Sequence, residues 1–226
     1  MIKYDDIRAI LTDLDGTLIN SEKAFYLAYK KVLYENYKVL INSKVYKKCE
    51  LDKNATLLDT LRIKNKVLCD VTNEEIMKKV FDSYTDKFKK IITNKKVIDR
   101  FELLKKLKNK NYKLVLVTTC NRYYLNILMK QLNLYNIFDF IVAREDVKKL
   151  KPANDAYLLA MKKIGVLPNE CLVLEDSRRG IKAAYDANIR NIIKIEEYTS
   201  VKFNDNRCVS YFSSSDVFKD ILKNNR

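Results

Sequence analysis

Short apolar runs alternate along this chain with longer stretches in which apolar side chains recur every three or four residues. Ile7-Arg8-Ala9-Ile10-Leu11-Thr12 is brief, mostly apolar and bounded by polar residues, as a buried strand should be. After about residue 94, strand-like runs are expected at Lys113–Thr118, Phe138–Val142, Glu170–Glu175, Asn191–Ile195 and Arg207–Phe212. Between them Val97, Phe101, Leu104 and Leu107 share one helical face, as do Tyr124, Leu125, Leu128 and Leu132. Further helices are expected from Pro152 to near Gly165 and from about Ser177 to Ala187, with Asn188 placed for a left-handed stop. Such alternation predicts an α/β fold, a parallel sheet flanked by crossover helices.

Residues 20–92 read differently. They hold no glycine or proline, show little strand character, and carry several amphipathic helical patterns. Asn20 could cap the first helix, and Thr72-Asn73-Glu74-Glu75 fits a capping box ahead of Ile76, Val80, Phe81, Tyr84 and Phe88. The expected organisation is a core of residues 1–19 and 93–226, with an all-helical insertion at 20–92.

Composition narrows the chemistry. A chain of 226 residues, 47% hydrophobic, can bury one substantial core, or one core and a smaller inserted domain. Met1–Asp6 leads straight into the first strand, so no secretory leader is expected, and no apolar run reaches membrane-spanning length. Cys49, Cys69, Cys120, Cys171 and Cys208 are scattered without a Cys-x-x-Cys pair, which fits reduced thiols and a cytoplasmic location. Lys and Arg (44) outnumber Asp and Glu (29), giving a net charge of +15. The lysines spread over helical faces rather than forming a tail, so nucleic acid is not the expected partner, although the field would draw in phosphate-bearing anions. Histidine is absent, which excludes imidazole-based triads, phosphohistidine and His-ligated metals.

Four strand ends carry candidate chemistry. Asp13-Leu14-Asp15-Gly16-Thr17 sets two carboxylates two residues apart just past the first strand, where α/β sheets bind ligands. Two carboxylates so close repel unless a cation intervenes. Thr118-Thr119 ends a second strand, where a hydroxyl and a backbone N–H suit a phosphoryl oxygen, although threonine often ends strands. Lys151-Pro152 precedes a helix, and its lysine could pair with anions or simply be solvated. Glu175-Asp176-Ser177 supplies a second acidic pair, with an ordinary helix cap by Asp176 or Ser177 as the plainer account.

In this order the segments resemble the haloacid dehalogenase superfamily, in the branch of β-phosphoglucomutase and the phosphoglycolate-type phosphatases. The longer runs Glu145–Asp155 and Val173–Ala184 are similar to the same subgroup. The resemblance implies a Rossmann-like core with a mobile helical cap at 20–92 and a Mg2+-dependent phosphatase acting on a small phosphate monoester. It implies Asp13 as nucleophile, Asp15 as acid and base, and Asp13, Asp15, Asp176 and Glu175 around the metal. Thr118, Thr119 and Lys151 would hold phosphoryl oxygens, and Lys53 would meet substrate from the cap. A monomer or weak dimer without membrane attachment is expected.

Departures from the pattern are Leu150 and Asn154, where glycine and proline are frequent, and Phe25, where the mutase carries a functional histidine. Arg178 and Arg179 could face substrate or simply open a solvated helix. The alternatives are a sugar phosphomutase, a metal-independent dehalogenase, and a non-catalytic basic module that binds nucleic acid. Cap residues such as Tyr26, Lys44, Tyr46, Lys47 and Lys48 imply only a polar or anionic guest.

Overall fold

The computed structural model describes residues 2, 4–46, 57–92, 94–134, 136–198 and 203–224. Strands β1 (Ala9–Thr12), β2 (Lys113–Val117), β3 (Phe140–Val142), β4 (Cys171–Glu175), β5 (Asn191–Ile195) and β6 (Val209–Tyr211) form one sheet in the order β3-β2-β1-β4-β5-β6. Every pairing is parallel. This is the doubly wound, Rossmann-like arrangement expected from the strand–helix alternation. The chain leaves β1 toward one edge, then returns to the other side of β1 at β4. The crevice between β1 and β4 is therefore the switch point at which such sheets bind ligands.

Apart from Thr12, Lys113 and Glu175 at their ends, the residues of β1, β2 and β4 are apolar on both faces because helices cover both. On one face Ala9, Leu11, Val115, Val117 and Val173 pack with Tyr157, Ala160 and Met161 of α6 (Asp155–Ile164) and Ile181, Ala183 and Ala184 of α7 (Arg178–Asp186). Elsewhere in the core, α4 (Lys95–Asn109) packs on α8 (Ser214–Asn224). Their buried stripes are Val97, Phe101, Leu104 and Leu107, and Val217, Phe218 and Ile221. The α5 helix (Arg122–Leu132) buries Tyr124, Leu125 and Leu128, with Asn121 accepting from the Tyr124 N–H as its N-cap. Asn188 takes the left-handed stop, at φ 64°.

The first strand begins at Ala9 rather than Ile7 and the third at Phe140 rather than Phe138, and three further boundaries move for local reasons. The last strand is shorter than Arg207–Phe212 because Asp205 draws in Arg207, accepting from its backbone N–H at 3.1 Å and its Nε at 2.8 Å. The α6 helix begins at Asp155 rather than beside Pro152, because Leu150–Ala153 forms a turn closed by the Ala153 N–H on the Leu150 carbonyl. Ser21, not Asn20, is the N-cap of α1 (Glu22–Tyr37), and its side chain makes no capping bond.

The described chain divides into two compact units, Met1–Asn20 with Ile91–Arg226, and Ser21–Lys90. Within the second lie α1, α2 (Leu57–Arg62) and most of α3 (Asn73–Ile92), with Ala28, Leu33, Leu58, Leu61, Ile76 and Val80 buried. The Thr72–Glu75 capping box forms: the Glu75 carboxylate accepts from the Thr72 N–H and the Thr72 hydroxyl from the Glu75 N–H. No described helix is long and apolar enough to cross a membrane.

Arg100 of α4 is 1% exposed and joins three segments of the sheet-bearing unit. It pairs with Glu197, bonds to the Leu18 carbonyl, and donates to the Tyr198 hydroxyl at 2.9 Å and to Ser215 Oγ at 3.2 Å. Removing one member of a buried pair leaves the other uncompensated, which typically costs about 3–5 kcal/mol. Arg100→Ala should lose about that much stability in urea denaturation. A loss below about 1 kcal/mol, the level of an exposed ion pair, would contradict this.

Candidate active site

Strand register brings the acidic motifs together. Thr12 of β1 lies between Leu116 of β2 and Leu174 of β4, so Asp13, Val117 and Glu175 come next, side by side. The Asp13 N–H bonds to the Leu174 carbonyl at 3.0 Å, extending the ladder by one residue. Lys151, from the turn before α6, reaches all three tips. Its Nζ donates to Asp13 Oδ1 at 2.7 Å, the Val117 carbonyl at 2.7 Å and Glu175 Oε1 at 2.6 Å. Those bonds occupy all three ammonium protons.

Beyond Asp13 the backbone folds back, with the Leu18 N–H on the Leu14 carbonyl at 2.8 Å and the Gly16 N–H on the Ile19 carbonyl at 2.9 Å. Gly16 has φ +90°, and a Cβ there would overlap the Asp176 carboxylate. The turn thus needs glycine twice over, for its dihedral angle and for the room it leaves. Asp176 Oδ1 also accepts from the Thr17 hydroxyl at 3.4 Å. Carboxylate oxygens of Asp13, Glu175 and Asp176 lie within 4.8 Å of one another. Asp15 is half-buried, and its Oδ2 accepts from the Cys120 thiol at 2.7 Å. Thr118 is buried, its hydroxyl oxygen accepting from the Cys120 N–H at 3.1 Å, whereas Thr119 is exposed.

Glu175 is fully buried and surrounded by donors. Oε1 accepts from Lys151 and from the Tyr157 hydroxyl at 3.0 Å, while Oε2 accepts from the Ser177 hydroxyl at 3.1 Å and more distantly from its N–H. Ser177 is also the N-cap of α7, its Oγ accepting from the Gly180 N–H at 3.0 Å. Arg178 and Arg179 each have a partner within the protein. Arg178 lies over the Phe203 ring, and Arg179 donates to the Lys151 carbonyl at 2.6 Å. Lys53, Lys47 and Lys48 lie outside the described residues. Phe25, in the helical unit, stacks on Tyr84 at 4.4 Å between centroids.

Sequence reasoning missed Tyr157 and Cys120. Tyr157 lies unremarked inside the helix expected between Pro152 and Gly165, and Cys120 reads as one of several scattered thiols. Their roles come from contacts across the sheet, which residue spacing does not reveal.

Burial and like charge dominate the electrostatics. Asp13 is pushed up to about 7, first by burial and then by Glu175 and Asp15, with Lys151 pulling the other way. Asp176 rises for the same reasons, burial first and then Asp13 and Glu175. Burial alone would lower Lys151, but Asp13 and Glu175 hold it well above its usual value. Among the described residues, the clustered carboxylates of Asp13, Glu175 and Asp176 meet one bonded ammonium, that of Lys151. The donor set is all hard oxygen, which fits Mg2+ or a similar cation.

Two outcomes follow. A folded-state value near 7 lies above that of an unfolded aspartate, about 3.9, so the metal-free fold binds the extra proton. The Asp13 contribution is then fully present below about pH 4 and is lost as pH rises through 7. Melting curves in EDTA, compared with Asp13→Asn, should show this falling component, and Mg2+ should flatten or reverse it. An identical pH dependence in both proteins would contradict it. Separately, a Cβ on Gly180 would overlap the Glu175 carboxylate, which its donors hold in place. Gly180→Ala should cost about 1–3 kcal/mol by overpacking, read as a lower urea midpoint, and an unchanged midpoint would contradict the crowding.

Comparison with known proteins places this geometry in a lineage. The haloacid dehalogenase-like hydrolase family matches residues 10–194. The phosphorylated carbohydrates phosphatase of Thermotoga maritima is 27% identical over 190 residues, covering 82% of this chain and 84% of that protein. Phosphoglycolate phosphatase of Escherichia coli O157:H7 is 29% identical over 212 residues, 85% of this chain and 82% of its own. The crystal structure of β-phosphoglucomutase from Clostridium difficile superposes with a TM-score of 0.65 over 96% of each chain, at 20% identity. The chain therefore belongs to the haloacid dehalogenase-like hydrolases.

Proposed function

We propose that this protein is a Mg2+-dependent phosphatase that hydrolyses a small phosphorylated metabolite, a sugar phosphate or similar monoester, through an aspartyl-phosphate. The observation that carries this reading is the cluster of Asp13, Glu175 and Asp176 carboxylates at the switch point, with Lys151 bonded to Asp13 and Asp15 two residues on. The relatives named as phosphatases for phosphorylated carbohydrates and phosphoglycolate support the substrate class.

The Asp13 carboxylate, the Asp15 main-chain carbonyl and Asp176 would hold the metal. When bound, Mg2+ neutralises the crowded carboxylates and draws charge from the phosphoryl oxygens. Glu175 stands behind them as a positioning group, because both of its oxygens already accept bonds from Lys151, Tyr157 and Ser177. Asp13 attacks phosphorus in line, forming the acyl phosphate as the ester oxygen leaves. Asp15 gives its proton to that oxygen, then takes one from the water that attacks the intermediate and restores Asp13. Lys151 aims the nucleophile and, among the described residues, supplies the one positive side chain bonded to it. To touch a phosphoryl oxygen directly, Lys151 must release one of its three acceptors. The Thr118 hydroxyl and the Thr119 N–H would hold the other oxygens. The helical unit would serve as the cap that recognises the leaving group and excludes water.

A phosphomutase would use the same machinery on a sugar phosphate. Phe25, where the mutase has a functional histidine, favours hydrolysis. Phosphate release without isomer formation in the presence of a sugar bisphosphate would separate the two.

Asp13→Asn should abolish acid-stable labelling of the protein by 32P-phosphate donors. Asp15→Asn should lower kcat by about 10²–10⁴ while circular dichroism stays unchanged. Wild-type turnover by either variant, or full activity after exhaustive EDTA treatment, would remove this mechanism.

A further inference from the structure

We propose that Cys120 is a positioning residue for Asp15, its thiol bonded to Asp15 Oδ2 and fixing the carboxylate in the pose from which it exchanges a proton with the leaving oxygen. The inference rests on Asp15 acting as acid and base in the reaction proposed above. The Cys120 Sγ stands 2.7 Å from Asp15 Oδ2, a contact between residues 105 positions apart. Cys120 cannot drift, because its backbone is tied on both sides. Its N–H donates to the Thr118 hydroxyl oxygen at 3.1 Å, and its carbonyl accepts from the Arg144 N–H at 3.0 Å. The segment that follows β2 is therefore held to the segment that follows β3, and the thiol is aimed at the β1 turn. Thr118 thereby acquires a second duty, since the hydroxyl expected to meet phosphate also sets the backbone that carries the thiol.

The choice of a thiol has a chemical consequence. An acid/base must change its protonation state twice in each catalytic cycle. A guanidinium or ammonium on Asp15 would bind the ionised carboxylate strongly and resist its protonation. A thiol is a weak, single donor, so it orients the carboxylate while doing little to fix its charge. The thiol is the donor of this contact and the Asp15 carboxylate its acceptor.

Two arms test this. With Mg2+ and p-nitrophenyl phosphate, Cys120→Ala should lower kcat about tenfold or more with KM changed less than twofold, since misplacing one reacting group is costly. Cys120→Ser, which keeps a donor, should recover most of that loss. Wild-type kcat in Cys120→Ala would overturn the proposal. So would a loss that Ser fails to rescue and that tracks a fall in melting temperature. The second arm needs no activity. The Raman S–H stretching band of Cys120, isolated as wild type minus Cys120→Ala, should sit at low frequency and move up in Asp15→Asn. An unmoved band would overturn the contact. A wild-type protein inactive on every phosphate ester tested, with the band shift intact, would instead reject the phosphatase reading and leave the thiol–carboxylate contact standing.

Discussion

A single buried ammonium joins the tips of three neighbouring strands. Lys151 Nζ bonds to Asp13 just past β1, to the carbonyl that ends β2 and to the carboxylate that ends β4. Desolvating a lysine and two carboxylates is expensive, and only close geometry with every donor used makes it tolerable. Lys151 satisfies that condition with its three protons spent on three acceptors. It also leaves little freedom in the placement of Asp13 relative to the sheet, which is what the proposed role of Asp13 as in-line nucleophile would require.

Further supports reach this centre from several directions. Tyr157 of α6 and Ser177 at the start of α7 hold Glu175 from either side, and the Tyr157 ring lies 5.3 Å from the Lys151 ammonium. Arg179 holds the Lys151 carbonyl, fixing the turn that delivers the lysine. On the other flank, Arg100 and Ser214 hold the Leu18 and Thr17 carbonyls, so the loop that carries Asp15 is anchored to α4 and α8. The acidic centre therefore sits on rigid elements, and its excess negative charge is the feature a divalent cation would relieve.

The two glycines within reach of the acidic pairs work by absence of atoms. Gly16 leaves space for the Asp176 carboxylate and Gly180 for that of Glu175. In a chain with three glycines, two are placed where a methyl group would displace a carboxylate of the site. The third, Gly165, ends α6 in the left-handed region and has open space around it.

Sequence alone determined the strand–helix alternation, the separate character of residues 20–92, and the motif residues Asp13, Asp15, Thr118, Lys151, Glu175 and Asp176. The alternation is legible because burial imposes periodicity, and the acidic pairs because carboxylates crowded at strand ends are costly without a purpose; Thr118 and Lys151 stand out only through the resemblance to the family's motifs. Tertiary structure alone decided which side chains share protons. Glu175 and Asp176 are adjacent in sequence and both carry carboxylates, yet one is enclosed by donors and the other faces the Asp15–Thr17 turn. Cys120 and Tyr157 enter through contacts across the sheet, and Arg178 and Arg179 find partners in Phe203 and the Lys151 carbonyl. Strand register, a property of the assembled sheet, sets these distances, and no local pattern of residues encodes them.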